Sequence, residues 1–413
     1  MSMLARFSAN PGHARSWRRG RLTALVLLAA GAIPLAAHAT AEEPQMAWSS
    51  QVGEPVYSSL RVSGDRIYLT SVQPTGPNVF ALGTGNGKVI WRFATKGSIG
   101  IPPTVGGTQL FVASDIGQTH YMRAIDAKTG ALVWDYTRNQ PPECMCSYAS
   151  HLQSGLLFAQ TDGHSLYAFD PASGSVPSRR IWEFKGDGAL LTSPVTAAGE
   201  VTFGSADHRI YALDAKTGAI RWTATTGYSF AARPVIVGDA VIAGNLGGTL
   251  HAYDLKTGRS LWSFGTNGAL DTAPAVRGGT LFLASEDLNV YAIDARTGTQ
   301  VWSRGMEDYS AFRPLVHGSE VIVANRAGEL LAFDAADGHT VWTADLDGTP
   351  FSAPLAWKGD VVLKIGDHAI GAFSAASGKP VWRYRSKAVL TPPAAGASAV
   401  YTASSDGRVI AFE

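Results

Sequence analysis

Short segments of alternating apolar and polar residues fill the chain, and one unit recurs. The stretch Ile210–Trp222 reads I-Y-A-L-D-A-K-T-G-A-I-R-W, and close copies run from Leu250 to Trp262 and from Val290 to Trp302. The apolar run before the Asp alternates as a half-buried strand does. The D-A-K-T-G segment predicts a turn, in which the carboxylate accepts backbone N–H groups and the glycine supplies a positive φ.

A tryptophan closes each copy of this unit. The spacings between successive tryptophans are 43, 48, 40, 40, 40, 40 and 40 residues, and the positions are Trp91, Trp134, Trp182, Trp222, Trp262, Trp302, Trp342 and Trp382. A period near 40 with four strand-like segments is typical of a β-propeller blade. We expect the indoles to seal one blade against the next, although they could also stack on a base or a cofactor. The third residue of each unit is an alanine, and we expect the indole of a neighbouring blade to pack against it.

The two ends of the repeat array are incomplete in complementary ways. Gln45-Met46-Ala47-Trp48 ends an outer strand that has no unit before it, and Val409–Glu413 begins a unit but stops before its turn. We therefore predict an all-β, closed propeller of four-stranded blades in which the N-terminal strand completes the last blade. The repeat count gives nine blades, with eight as the alternative if a terminal unit is irregular. Trp357 does not belong to the regularly spaced tryptophans that close the units, and we expect it in a surface turn.

The first 39 residues have the pattern of an export signal. An apolar run from Leu22 to Ala37 ends in the small-x-small sequence Ala37-His38-Ala39, and arginines precede it at Arg6, Arg15, Arg18, Arg19 and Arg21. We predict that residues 1–39 are a cleaved signal peptide and that residues 40–413 form a single propeller domain in the periplasm. No cysteine lies at the cleavage site, so a lipid anchor is not expected, and we expect no transmembrane segment in the mature chain. Residues 40–413 hold 29 Lys and Arg against 33 Asp and Glu, which disfavours a nucleic-acid partner.

Two blades share a segment that could form a binding site. Tyr228 and Arg233 lie in Y-S-F-A-A-R-P, and Tyr309 and Arg313 lie in Y-S-A-F-R-P, in each case just before a proline of the predicted inner strand. The two guanidinium groups could converge on an anionic ligand or on an acidic segment of a partner. They could also form an internal network with Asp271 of the blade between them.

The longest interval between tryptophans contains Cys144 and Cys146, the two cysteines of the chain. They could be surface thiols, a disulfide that closes a very small loop, or soft ligands for copper(I) together with Met145. His151 follows nearby and is aligned with the inner-strand prolines, so we expect it to line the channel. No zinc-ligand spacing, nucleophile elbow or phosphate-binding glycine loop is found.

The repeated pattern A-x-D-A-x-T-G-x-x-x-W resembles the pyrroloquinoline quinone (PQQ) enzyme repeat, and the resemblance covers residues 40–413. One branch of that family contains PQQ-dependent alcohol dehydrogenases, which implies PQQ, calcium, an acidic base and an adjacent Cys-Cys disulfide. The other contains non-catalytic periplasmic propellers related to BamB. Here the repeats are close to minimal length, and Met145 separates the two cysteines, although the lipobox cysteine of BamB is missing and one more unit is counted.

The resemblance therefore favours a non-catalytic propeller that binds periplasmic or outer-membrane proteins without a cofactor. One alternative is an oxidoreductase with PQQ and calcium, in which Arg233 and Arg313 lie near the cofactor carboxylates. A minor alternative is copper handling through Cys144 and Cys146.

Overall fold

The computed structural model describes residues 41–117, 119–139, 150–160, 164–171 and 180–413. Thirty-six strands form nine antiparallel sheets of four strands each, and the described residues contain no helix and hence no membrane-spanning helix. The sheets follow one another in a ring, which confirms the predicted nine-bladed propeller. Cys144 and Cys146 lie outside the described residues.

Each blade runs from an inner strand at the central channel to an outer strand at the circumference. Blade 1 has β2 (Arg61–Ser63), β3 (Arg66–Thr70), β4 (Val79–Gly83) and β5 (Val89–Phe93); blade 2 has β6 (Thr104–Gly106), β7 (Gln109–Ile116), β8 (Thr119–Asp126) and β9 (Leu132–Asn139); blade 3 has β10 (Ser150–Gln153), β11 (Leu156–Gln160), β12 (Ser165–Phe169) and β13 (Arg180–Lys185). Blade 4 has β14 (Val195–Ala197), β15 (Glu200–Gly204), β16 (Arg209–Asp214) and β17 (Ile220–Thr225); blade 5 has β18 (Val235–Val237), β19 (Ala240–Gly244), β20 (Thr249–Asp254) and β21 (Ser260–Gly265); blade 6 has β22 (Ala275–Arg277), β23 (Thr280–Ala284), β24 (Asn289–Asp294) and β25 (Gln300–Gly305). Blade 7 has β26 (Leu315–His317), β27 (Glu320–Ala324), β28 (Glu329–Asp334) and β29 (Thr340–Asp345); blade 8 has β30 (Leu355–Trp357), β31 (Asp360–Ile365), β32 (Ala369–Ser374) and β33 (Pro380–Arg385); blade 9 has β34 (Ala394–Ala395), β35 (Val400–Ala403), β36 (Arg408–Phe412) and β1 (Met46–Gln51).

Blade 9 is completed by the N-terminal strand. β1 pairs antiparallel with β36, and Trp48 lies opposite Ala411. The prediction that the two ends of the array close the ring is therefore confirmed. Just upstream, Glu42 extends along the outer edge of blade 8: its N–H donates to the Val381 carbonyl at 3.1 Å, and its own carbonyl accepts from the Arg383 N–H at 2.9 Å. The strand edges that an open ring would expose are covered at this point.

The tryptophans join neighbouring blades by one repeated contact. In seven blades the indole Nε1–H donates to a carbonyl in the turn between the third and outer strands of the next blade, at 2.8–3.1 Å: Trp48 to Thr84, Trp91 to Ala127, Trp182 to Ala215, Trp222 to Leu255, Trp262 to Ala295, Trp302 to Ala335 and Trp342 to Ala375. The indole also lies against the glycine of that turn. The packing role of the tryptophans is therefore seen directly in these blades.

The alanine at the third position of each unit faces a different indole from the one expected. Ala252 is directly opposite Trp262 of its own blade, and Ala212 is likewise opposite Trp222. The prediction that the facing indole belongs to a neighbouring blade is therefore wrong. The register shifts after each of these pairs, because the residue before the tryptophan forms a β-bulge, and such a bulge bends an outer edge strand and re-aims its side chains.

Trp357 is not in a surface turn. It ends the inner strand β30, its side chain is buried, and its Nε1–H donates to the Gly396 carbonyl of blade 9 at 3.1 Å. The ammonium of Lys358 lies 4.4 Å from its ring centroid. Trp357 thus seals blades 8 and 9 near the channel, whereas the tryptophans that close the repeat units join the blades at the circumference.

Because the strands of a blade alternate in direction, its connections divide between two faces. We call the face with the loops that lead into the inner strands, and with the turns between second and third strands, the loop face. The turn face carries the turns between inner and second strands and the Asp–Thr–Gly turns. There Asp294 accepts from the N–H groups of Arg296 and Thr297 and from the Thr297 hydroxyl, and this hydrogen bonding lowers the pKa of its carboxyl.

Candidate functional site at the channel mouth

The nine inner strands surround the channel and carry an uneven charge. Most neighbouring inner strands contact one another around the ring. As bounded in the structure, they contain Arg61, Arg277, His151 and His317 but no Asp or Glu. The channel wall is therefore basic, although residues 40–413 as a whole hold more acidic than basic groups.

Arg233 and Arg313 occupy equivalent positions two blades apart. Each precedes the proline that leads into an inner strand, and each reaches back to the matching proline of the previous blade. Arg313 Nε donates to the Pro274 carbonyl at 3.1 Å, and Arg233 Nη2 lies 3.5 Å from the Pro194 carbonyl. The repeated backbone thus places both guanidinium groups at the loop-face end of the channel.

Positive charges act on one another at this channel mouth. Burial lowers the pKa of Arg233, and the nearby charge of Arg313 lowers it further. Burial also lowers the pKa of Arg61, which reaches solvent in the channel but has protein around most of its side chain. Within the described residues, Arg61, Arg233 and Arg313 form no ion pair.

His151 also belongs to this group. It pairs with Phe158 as Arg61 pairs with Tyr68, so the two residues occupy equivalent positions in their inner strands, although β10 begins one residue earlier, at Ser150. The alignment of His151 with the prolines is therefore wrong by one residue, and Ser150 takes the proline position. Burial lowers the pKa of His151 to about 4, with further lowering by Arg233 and then Arg61, and its Nε2 is buried without a hydrogen-bond partner among the described residues.

We predict that the folded protein loses stability in mild acid, because His151 is held in its neutral form. Its pKa lies at about 4 in the folded protein against an ordinary value of 6.5, so the unfolded chain binds the proton more readily. Stability is then lost as the pH falls from about 6.5 to about 4, by up to about 3 kcal/mol at roughly 1.4 kcal/mol per unit. Urea midpoints measured across this window for the wild type and His151→Gln should diverge, with the flatter curve for the variant. Parallel curves would show that His151 is not held in its neutral form.

The remaining residues of the two-blade segment do not occupy matching positions. The carbonyl of Ser229 accepts from Leu246 N, and the carbonyl of Tyr309 accepts from Arg326 N, so Tyr309 corresponds to Ser229 and not to Tyr228. Tyr228 lies across Gly247, where an added Cβ would be 2.1 Å from the ring. The Tyr309 hydroxyl accepts a hydrogen bond from Arg326, whose guanidinium also lies over the ring at 5.1 Å from its centroid.

Asp271 lies in the blade between Arg233 and Arg313 but forms no ion pair with either of them. It lies at the loop-face end of blade 6 with part of its surface exposed to solvent, but the protein around its carboxyl displaces some of the water there, and this desolvation raises its pKa. The structure therefore brings three arginines and one histidine to the channel mouth without a described carboxylate in contact with them.

The described residues contain one group of three acidic or histidine side chains close enough to share a metal ion, formed by Asp334, Asp337 and His339. It is exposed in an Asp–Thr–Gly-type turn on the turn face, and its members are already hydrogen-bonded locally. The arginines of the channel mouth suit the carboxylates of PQQ, but the described residues there do not bring together the carboxylates of a typical calcium site.

A second feature of the loop face is its exposed apolar side chains. In the described residues, large exposed apolar side chains fall into two sets. Nine lie on outer strands: Met46, Ile90, Leu132, Ile181, Ile220, Leu261, Val301, Val341 and Val381. Eight lie at the loop face: Tyr57, Val72, Ile116, Leu191, Tyr228, Leu246, Leu288 and Phe351. None of the exposed apolar side chains in either set lies in the turns of the turn face.

Arg61 and the apolar loop-face set were missed from sequence alone. The absence of acidic residues from all nine inner strands could have been counted once the strand register was known. The loop-face set has no fixed position in the repeat, because it comes from both kinds of loop, so periodicity carries no signal for it.

Nine four-stranded blades with repeated Asp–Thr–Gly turns and tryptophan contacts define a propeller built of PQQ-type repeats. The family model described as outer membrane protein assembly factor BamB matches residues 37–180, 149–263, 206–332 and 287–413. These matches extend over most of the chain, so the chain belongs to this family, and the resemblance seen in the sequence is confirmed.

Two curated relatives match shorter parts. The tetrathionate hydrolase of Acidithiobacillus ferrooxidans is 30% identical over 165 residues, which cover 36% of this chain and 31% of the hydrolase. The outer membrane protein assembly factor BamB of Moranella endobia is 25% identical over 132 residues, which cover 30% of this chain and 32% of that protein. The chain thus spans about a third of the length of the curated relatives it matches.

Solved structures show the same fold at low identity. The crystal structure of BamB from Moraxella catarrhalis aligns with a TM-score of 0.57 and 17% identity, over 90% of this chain and 99% of that chain. The quinohemoprotein alcohol dehydrogenase ADHIIG from Pseudomonas putida HK5 aligns with a TM-score of 0.57 and 13% identity, over 90% of this chain and 76% of the enzyme. Because binding propellers and enzymes share this fold, the site decides between them.

Proposed function

We propose that this protein is a non-catalytic binding propeller of the cell envelope, which docks a component of outer-membrane protein assembly through its loop face. Family membership and the assembly-factor relatives support the class of function. Residues 1–39, with their arginines, apolar run and small-x-small end, would direct the chain through the inner membrane. Residues 40–413 would then act in the periplasm as one domain.

The observation that carries this proposal is the position of the exposed apolar side chains. The outer-strand set is spread around the circumference, with one member in each of the nine blades, next to the tryptophan bulges. The loop-face set comes from six blades and shares one surface with the channel mouth, while the turn face has none in the described residues. Apolar side chains gathered on one face and edged by polar groups are typical of a protein interaction site.

Aromatic side chains at the loop face are suited to act as anchors. Tyr228 is 57% exposed, yet its ring is fixed across Gly247, so little side-chain freedom would be lost on docking. Phe351 is 50% exposed, and the Lys364 ammonium lies 5.5 Å from its ring centroid. Buried aromatic anchors contribute much of the affinity in protein interfaces.

Complementation of a gene deletion tests this proposal. We expect Tyr228→Ser combined with Phe351→Ser to weaken partner binding by about tenfold or more, at roughly 1–2 kcal/mol for each lost anchor. The deletion strain should then fail to recover its assembled outer-membrane proteins with this variant, although the wild type restores them. The readout is the amount of folded outer-membrane protein at equal levels of the propeller.

A matched control uses the outer strands. Ile220 is 55% exposed and Val301 is 50% exposed, so Ile220→Ser combined with Val301→Ser removes comparably exposed apolar side chains from the other set. This control should complement fully. Unchanged outer-membrane protein in the deletion strain itself would count against the assembly role, and equal failure of both double variants would count against the loop face.

The oxidoreductase alternative is supported by the fold shared with ADHIIG and by the arginines at the channel mouth. It is opposed by the ligand set, since Asp271 is the single acidic residue in the described inner strands and the four residues that precede each of them. A calcium-assisted quinone site therefore does not fit the described part of the channel. The copper alternative rests on Cys144 and Cys146 and stays a prediction.

A further inference from the structure

We propose that the channel mouth is an anion-binding site for a ligand with two or more carboxylates, and that an acidic segment of the docked protein supplies them. This inference rests on the proposed function, because it takes the loop face as the docking face. The site consists of Arg61, Arg233 and Arg313, with His151 as a neutral neighbour.

The site has polar side-chain atoms that the protein itself leaves without hydrogen-bond partners. Arg233 Nε is buried and has no hydrogen-bond partner among the described residues, and the same holds for His151 Nε2. The Arg61 guanidinium makes neither a hydrogen bond nor an ion pair within the described ranges. Since buried polar groups are nearly always satisfied in folded proteins, donors left open at a cavity point to a ligand.

The distribution of charge selects a multivalent anion. Arg61 lies in blade 1, Arg233 in blade 5 and Arg313 in blade 7, so the guanidinium groups face the channel from different sides. A ligand with several carboxylates can pair with guanidinium groups from three separate blades at once, which a single carboxylate does less well. Guanidinium groups pair with carboxylates through two parallel hydrogen bonds, which favours this class of anion.

The protein supplies no such counter-ion from its described residues. Asp271 is near in the ring but does not pair with the arginines, and the nine inner strands hold no acidic side chain. The mouth opens on the same face as the apolar set, so a segment of a protein docked there can extend into the channel. Apolar anchoring around the mouth and charge pairing within it would then act on one partner.

Calorimetric titration with two probes tests the site. Hexaglutamate peptide stands in for an acidic segment, and citrate stands in for a small polycarboxylate. We expect saturable binding of hexaglutamate that weakens at least tenfold between 50 mM and 500 mM NaCl, because the interaction is between charges. Arg233→Gln combined with Arg313→Gln should weaken it at least thirtyfold, and the histidine pKa of about 4 should rise when the peptide is bound.

The control variant removes two exposed arginines of the turn face, Arg259→Gln with Arg296→Gln, and should bind hexaglutamate like the wild type. Thermal melts show whether the channel variant is folded. Binding of citrate without binding of hexaglutamate would overturn the acidic-segment source and identify a small-molecule site. Absence of binding by both probes, or equal loss in the control, would overturn the site itself.

The two proposals fail separately in these experiments. The loop-face double variant Tyr228→Ser with Phe351→Ser should keep hexaglutamate binding, since it leaves every charged group of the channel mouth in place. If hexaglutamate binds but complementation shows no role in assembly, the anion site stands and the proposed function falls. If complementation depends on the loop face but hexaglutamate does not bind, the anion site alone falls.

Discussion

Gly258→Ala is expected to destabilise the protein by about 3 kcal/mol, whereas Gly238→Ala in the same blade costs about 1 kcal/mol. Both glycines have a positive φ, +69° and +58°, so both substitutions carry the strain of a left-handed side chain. Only at Gly258 does the new methyl group meet a neighbour, because its Cβ would lie 2.6 Å from the Trp222 indole. The difference between the two variants isolates the contact between blades 4 and 5.

Urea unfolding monitored by circular dichroism measures this difference, and Trp222→Phe combined with Gly258→Ala supplies a second arm. A smaller ring leaves more room at the turn, so the double variant should lose less than the sum of its single variants. Equal destabilisation by Gly258→Ala and Gly238→Ala would contradict the model of blade sealing. It would mean that the glycines of these turns are needed for backbone conformation alone.

The same contact shows how far the sequence could predict the fold. A 40-residue period and a tryptophan in each copy were enough to predict nine blades, and the incomplete terminal units were enough to predict how blade 9 is completed. The partner of each indole could not be read from the period, because it depends on the bulge before the tryptophan. Because of this bulge, Ala252 lies opposite Trp262 of its own blade. The glycine of the Asp–Thr–Gly turn in the next blade packs against the same indole.

The candidate site was predictable only in part. Arg233 and Arg313 could be related by their spacing of two repeats, since both lie next to the proline that fixes the chain at the channel. Arg61 could not, because Leu60 stands directly before β2 where most other blades have the proline that marks the register. Tyr309 was matched with Tyr228 by its sequence, although one residue more separates Tyr309 from the preceding tryptophan, and its loop places it one position later.

In the two proposals, the candidate surfaces have different physical roles. Exposed aromatic and aliphatic side chains on the loop face supply contact area, which raises affinity for many partners of suitable shape. Unneutralised guanidinium groups at the channel mouth supply discrimination, because an acidic segment gains there and a basic segment is repelled. A partner that satisfies both would be selected by charge at the centre and held by apolar contacts around it.

Trp48→Ala is expected to lower the free energy of unfolding by about 3–5 kcal/mol. This residue joins the last blade to the first: its Nε1–H donates to the Thr84 carbonyl at 2.8 Å, and its ring lies 5.8 Å from that of Tyr401. An added Cβ at Gly87 would be 2.4 Å from the indole, so the ring also fills the turn of blade 1. Its removal leaves a cavity where the N-terminal strand closes the ring, and the Thr84 carbonyl keeps only the longer hydrogen bond from the Tyr401 hydroxyl, at 3.3 Å.

Met46→Ala is the matched control, because Met46 lies in the same strand and is 44% exposed. It should change the free energy of unfolding by about 0.5 kcal/mol or less. Hydrogen exchange then distinguishes local opening from global loss: in Trp48→Ala, the amides of β1 and β36 should exchange before those of the central blades. If Trp48→Ala and Met46→Ala were equally stable, backbone pairing between β1 and β36 would be sufficient for closure, and the indole would not be needed there.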